Sequence, residues 1–303
     1  MVNSYGLNKI NRRYNSFKKI NINESDKIVI MSDLHRGGGD LSDSLISNIY
    51  ILIRALKYYY SNEFTVIEAG DGEELWKNRD CIDISNSYEE VYKLYYKFFK
   101  RNNLYLIYGN HDKDKCNRKY IYKQINKINK IDRNIGVDFK RLYKRIKVNE
   151  GIRLVGNDKN EILVIHGHQA DIFNCELMYL SRFLVRYFWK PIQANFGIKE
   201  ATSPADNLRK SSIVDRKLMV WAKENKIMLI CGHTHNTYFS KPKSGMYFNC
   251  GCATKNNSIT AIEIKNNKIY LVEWFIDTDE DMKLCINRKV INGPKNICDY
   301  FKR

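Results

Sequence analysis

The chain has 303 residues, 44% hydrophobic and 28% charged, with four prolines. That balance excludes a fibrous or disordered chain and allows one sizeable core; the length permits two domains without requiring them. A formal net charge of +17 suits a polyanion, a phosphorylated substrate or an anionic membrane surface, although a lysine-rich composition spreads such charge without building any patch.

The opening MVNSYGLNKINRRYNS is followed by no apolar run, and no stretch approaches the ~18 uninterrupted apolar residues of a membrane span. The eight cysteines include no C-x-x-C pair, which fits reduced thiols in a cytoplasmic protein. Cys250 and Cys252, either side of a glycine, read as small residues at a strand end.

Strand and helix signals then alternate. KIVIMS (27–32) is a short buried strand running into Asp33. Leu41, Leu45, Ile49, Ile53, Leu56 and Tyr60 recur at helical spacing, with Asp40 as N-cap. FTVIEAGD (64–71) is a second strand, SYEEVYKLYYKFFK (87–100) a second helix and LYLIYGNHD (104–112) a third strand. The intervals between Asp33, Asp71 and Asn110 each leave room for a strand–helix–strand crossover of ~30 residues, so these strands are expected to be parallel, with their carboxyl ends along one edge.

Residues 113–147 are basic and partly helical in pattern, EILVIHGH (161–168) and IMLICGHTH (227–235) read as strands, and SITAIEIKNNKIYLVEW (258–274) reads as a hairpin turning at Asn266-Asn267. Residues 172–190 have helical spacing, with Arg182, Arg186 and Lys190 as a basic stripe and Pro191 as the stop. A further helix is expected to start at Ser203-Pro204. The whole chain reads as one domain, 1–303, with a helical cap insertion over 172–226.

Chemistry-bearing residues collect at the strand ends. Asp33-Leu-His35, Gly70-Asp71, Gly109-Asn-His-Asp112, His166-Gly-His168 and Gly232-His-Thr-His235 contain all six histidines of the protein. A lone histidine there is more often a hydrogen-bonded structural residue than a ligand; six of six in five such motifs reverses that preference. Carboxylate, imidazole and amide oxygen together suit a divalent first-row metal, because calcium or magnesium would take oxygen alone. Seven candidate ligands exceed what one ion uses while leaving a position open, so two ions ~3.5–4 Å apart are expected.

The series D-x-H, G-D, G-N-H-D, H-G-H and G-H-x-H, running from residue 28 to about 275, resembles the calcineurin-like metallophosphoesterase superfamily. The resemblance implies a four-layered α/β/β/α sandwich with a dinuclear centre, Asp33, His35 and His235 on one metal, Asn110, His166 and His233 on the other and Asp71 bridging. The ions implied are Mn²⁺, with Fe or Zn as alternatives. His111 is then the general acid, with Asp112 or another nearby carboxylate orienting it, and Arg36 and His168 are candidates for substrate contact. The reaction implied is in-line attack on phosphorus by a hydroxide held between the ions.

GDGEELW, SDLH and the helical insertion resemble the branch containing the UDP-2,3-diacylglucosamine pyrophosphatases, although His111 stands where that branch commonly carries arginine. The expected substrate is a phosphorylated small molecule or lipid-linked compound, with peripheral contact to the inner membrane face. A nuclease or other nucleic-acid-binding protein of the same fold is the alternative. A serine/threonine phosphoprotein phosphatase ranks lower because G-D-x-x-D-R-G is missing, and a non-catalytic scaffold ranks lower because no ligand set is broken.

Overall fold

The structure, a computed structural model, describes residues 5–171, 182–192 and 208–302. In chain order it contains α1 (Tyr5–Arg13), β1 (Lys18–Asn21), β2 (Ile28–Met31), α2 (Ile49–Ser61), β3 (Thr65–Ala69), α3 (Ile82–Ser87), α4 (Glu89–Lys100) and β4 (Leu104–Ile107). There follow α5 (Arg118–Ile131), α6 (Val137–Tyr143), β5 (Val148–Asn149), β6 (Gly151–Val155), β7 (Glu161–Ile165), a helical segment within 182–192 and α7 (Leu208–Asn225). The chain ends with β8 (Met228–Cys231), β9 (Thr237–Phe239), β10 (Tyr247–Cys250), β11 (Ser258–Lys265), β12 (Lys268–Thr278) and β13 (Leu284–Asn296).

Two sheets form, ordered β1-β6-β7-β8-β10-β9 and β13-β12-β11-β2-β3-β4-β5. Alternation along their strands decides which layer each residue faces. Ile28 and Ile30 of β2 and Ile67 of β3 meet Ile162 and Val164 of β7 and Ile230 of β8 in a core between the sheets. Their neighbours Val29, Met31 and Val66 turn the other way, against Leu52 and Leu56 of α2 and Val91 and Phe98 of α4. On the far side, Leu163, Ile165 and Leu229 pack against Leu7 and Ile10 of α1 and Leu218 and Trp221 of α7. The order of layers is α/β/β/α, as expected from the motifs.

Strands β2, β3 and β4 are parallel neighbours, and β7 runs parallel to β8. The carboxyl end of each is therefore followed by one of the five motif loops, the arrangement that places ligands at a sheet edge. The β11–β12 hairpin closes with Lys265 opposite Lys268, and Asn266 and Asn267 both take φ above 50°, the conformation a two-residue turn demands.

Two local expectations are corrected. The helix expected from Leu41 starts only at Ile49, after a 3₁₀ turn; Asp40 accepts from Ser42 instead of capping it, and Leu41 is 73% exposed. Periodicity carried the reading too far back into a loop. α7 packs on the outer face of the β1-β6-β7-β8-β10-β9 sheet through Leu218 and Trp221. The helical segment also continues past Pro191 to Ile192. The expected start at Ser203-Pro204, residues 172–181 and residues 193–207 lie outside the described residues.

Asn48 holds the start of α2 in place. Its side-chain amide donates to Ala253 O (2.7 Å), to Ser258 O (3.3 Å) and to Lys255 O, all in or beside the loop joining β10 to β11. Asn48→Ala leaves these carbonyls without that donor, and is expected to lower stability by about 1–3 kcal/mol, read as a lower urea midpoint with an unchanged slope.

Candidate metal centre

Backbone bonds draw the five loops together. Asp33 N–H donates to Gly70 O (3.1 Å), His35 N–H to Asp71 O (2.9 Å) and Gly232 N–H to His166 O (3.0 Å). His233 N–H donates to Asp33 Oδ2 (2.7 Å), which joins the sheets, and His111 N–H to Asp71 Oδ1 (2.8 Å). A Cβ on Gly109 would lie 2.0 Å from Asp71 Oδ1, so only glycine admits that approach. Asp33, His35, Asp71, His233 and His235 all have φ between 49 and 70°. Non-glycine residues pay roughly 1–3 kcal/mol each for such backbone, and it persists mainly where function requires it.

The ligand atoms of Asp33, His35 and His235 lie within 4.8 Å of one another, as do those of Asp71, His166 and His233. Asn110 Oδ1 is 3.2 Å from His166 Nε2. Asp71 joins the sets, its Oδ2 3.1 Å from His166 Nε2 and 3.9 Å from His35 Nε2. The structure thus brings all seven expected ligands together.

The hydrogen positions show what this cluster fits. His35 Nδ1 lies 2.9 Å from Glu74 Oε2, and His166 Nδ1 lies 3.0 Å from Ala69 O. Both partners only accept, so each ring's Nδ1 carries the hydrogen and a neutral ring presents an Nε2 lone pair inward. There, His35 Nε2 meets His235 Nε2 at 3.3 Å, and Asp33 Oδ1 is buried with the same His235 Nε2 3.1 Å away. Lone pairs facing one another away from water require a cation among them, and this mixed donor set fits a divalent first-row ion.

The pKa shifts show protons filling that role. Burial opposes charge on His35, yet Asp33, Glu74 and Asp71 push its pKa up to about 10. Against the same burial, Asp71 and Asp33 raise His166 to about 9, and Asp33 and Cys252 raise His235 well above the usual range. In return, and against burial, positive charge on His235 and His166 holds Asp33 well below the carboxylate range, and His166 and His111 do the same for Asp71.

Two expected roles are corrected. Asp112 does not orient His111: its Oδ1 accepts from Gly109 N–H and its Oδ2 from Gly72 N–H, both at 2.7 Å, while Lys115 Nζ lies 2.6 Å away. Glu74 takes the orienting place, with Oε1 2.9 Å from His111 Nδ1. Arg36 is not a substrate contact. It is fully buried, donating to Glu68 Oε2 and Glu73 Oε1 at 2.7 Å each. Glu68, Glu73 and Asp112 form another acidic triad, but Lys115 and Arg36 already neutralise it from inside.

His168 is buried beside the centre, its ring 5.5 Å from that of His166. Burial and the charges of His166 and His233 push its pKa well down, so it stays neutral. Four neighbours escaped the sequence reading. Glu74 serves His35 and His111 together. Trp76 stacks on His111 at 4.0 Å and donates its indole N–H to Asn110 O at 2.8 Å. Asp171 Oδ2 lies 3.2 Å from His233 Nε2. Cys252, despite burial, has its pKa brought down to about 7 by His235. Only Glu74 had a signal, an acid three residues beyond Asp71.

A doubled α/β sandwich with a histidine-carboxylate cluster at one sheet edge defines a class of metal-binding protein. The model of the calcineurin-like phosphoesterase family matches residues 26–237, and the chain belongs to that family. No curated protein matches it. Among solved structures it is similar to Vps29 of Chaetomium thermophilum, at 10% identity and a TM-score of 0.40, over 88% of this chain and 97% of that one.

Arg36→Met leaves Lys115 to answer Glu68, Glu73 and Asp112 and is expected to destabilise the protein by about 3–5 kcal/mol, measured by urea unfolding. Metal binding should also release protons. At neutral pH His35 and His166, with pKa values of about 10 and about 9, carry protons that an ion must displace. Calorimetric titration with Mn²⁺ in two buffers of different ionisation enthalpy should show proton release, with affinity falling as pH drops; equal heats in both buffers would contradict it.

Proposed function

We propose that the protein is a dinuclear metal-dependent phosphoesterase that hydrolyses a phosphate ester or pyrophosphate bond. The observation that carries this reading is the pair of donor sets joined at Asp71 with His111 held beside them. Asp33, His35 and His235 would hold one ion, Asn110, His166 and His233 the other, and Asp71 both. Manganese is the first choice, with iron or zinc as alternatives. When bound, two such ions supply Lewis acidity toward phosphoryl oxygens and lower the pKa of a water.

The chain's own residues do the rest. Asp71 would place negative charge between the two ions, and Asn110 would add a neutral oxygen. Glu74 engages His111 Nδ1, which leaves Nε2 to give a proton to the leaving oxygen, and the same carboxylate stabilises the charged ring. Trp76 fixes the plane of that ring. His168, neutral and next to His166, is an outer contact for substrate.

The nucleic-acid reading ranks second because four cations of the basic stretch are already engaged within the protein. Lys115 is buried among carboxylates, Lys127 pairs with Asp80, Arg118 donates to Tyr143 O and Lys140 donates to Arg133 O. Among the described residues no helix is long and apolar enough to cross a membrane.

Purified protein with Mn²⁺ is expected to hydrolyse p-nitrophenyl phosphate or its bis ester. Asp71→Asn should abolish turnover, His111→Ala should lower kcat by ~10²–10⁴, and Glu74→Gln should lower kcat or metal occupancy by ~10–100-fold. Equal rates in wild type and Asp71→Asn, or no bound metal on elemental analysis, would overturn the proposal.

A further inference from the structure

Surface helices turn their cations to water and their apolar stripe to the core. The helical segment within 182–192 does the reverse. Arg182 donates to Asp114 Oδ2 at 2.6 Å, Arg186 to Trp76 O at 3.0 Å and Leu75 O at 2.7 Å, and Lys190 to Asn78 Oδ1 at 2.9 Å. Val185 packs on Trp76. The basic stripe is thus the docked face. Phe183, Leu184, Tyr187 and Phe188 are left 51, 45, 57 and 59% exposed, with Ile192 at 38%. Large apolar side chains gathered on one turned-out face mark an interaction surface.

Charge selects the occupant. The nearby acids Asp40, Asp80 and Asp114 each face a cation already, Lys190, Lys127 and Arg182 respectively. Arg79 is exposed and pairs with no acid among the described residues, and it lies close enough to Arg186 that its charge, after burial and Arg182, helps push the pKa of that guanidinium down. Lys113, next to Asp114, likewise pairs with no acid among the described residues. The chain as a whole carries +17. A second copy packed face to face would set Arg79 against its own counterpart and bring two chains of +17 together. A surface that is apolar inside and negative outside satisfies both halves of the patch.

We propose that this face seats the protein on an anionic phospholipid bilayer, with Phe183, Leu184, Tyr187 and Phe188 entering the headgroup and acyl boundary and Arg79 and Lys113 meeting lipid phosphates. Aromatic residues beside cations are the composition that interfacial helices use. The segment also borders the metal centre, since Trp76 contacts Arg186 through its carbonyl and His111 through its ring. Binding is scored without turnover, so this proposal and the phosphoesterase reading fail separately.

The test is cosedimentation of the purified full chain with phosphatidylcholine vesicles, with and without phosphatidylglycerol. Wild type is expected to pellet with the anionic vesicles and far less with the neutral ones. Phe183→Ser/Phe188→Ser, altering exposed side chains outside the metal centre, should stay in the supernatant, and Arg79→Gln should partition about fivefold more weakly. Circular dichroism confirms that the variants are folded. Wild type staying in solution with both vesicles, or the double variant pelleting like wild type, would overturn the proposal. So would a dimer in sedimentation velocity that the double variant dissolves, because a second copy would then cover the face.

Discussion

The carboxylate of Asp71 is where the two sheets hold each other to account: one oxygen accepts from the backbone of His111 after β4, and the other faces His166 after β7. Neither oxygen sees bulk water, so positive charge must come from the histidines around it, His166 first, or from an ion. Much of the surrounding architecture serves that requirement. Gly109 lets the β4 loop come close, Asp33 reaches across to His233, and five residues at or beside the centre accept left-handed backbone. Loops free to relax would not stay in such conformations, which is why they hang from buried parallel strands.

Behind this centre, Asp112 ties the loops after β3 and β4 together through the amides of Gly72 and Gly109. Lys115 and Arg36 answer its charge and that of Glu68 and Glu73, while Tyr92, Tyr95 and Tyr143 donate hydroxyls to the two glutamates. A network this dry is rigid because each member would be costly alone. It fixes the distance between two ligand loops without touching a ligand atom of either donor set.

Much of the layered fold and the ligand cluster could be read from the chain, because apolar period two and histidine position are local signals that folding preserves. What could not be read was direction. Arg36, Glu73 and Glu74 are neighbours in motif loops, yet Arg36 and Glu73 turn inward together and Glu74 turns toward the histidines; spacing does not decide which. The stripe of Arg182, Arg186 and Lys190 was visible as a stripe, but its partners are backbone carbonyls and side chains more than 60 positions away. The loop before α2 was misread because Leu41 and Leu45 continue a helical spacing that Asn48 interrupts by bonding across to another strand connection.

The raised pKa values of His35, His166 and His235 carry a consequence for sequence of events. Three protonated rings balance Asp33, Asp71 and Glu74, so the uncharged-on-average pocket has little to offer a phosphate group. Exchanging those protons for two divalent ions would leave it net positive. Under the proposed function, attraction for a phosphate group would then follow loading: cations first, anion second.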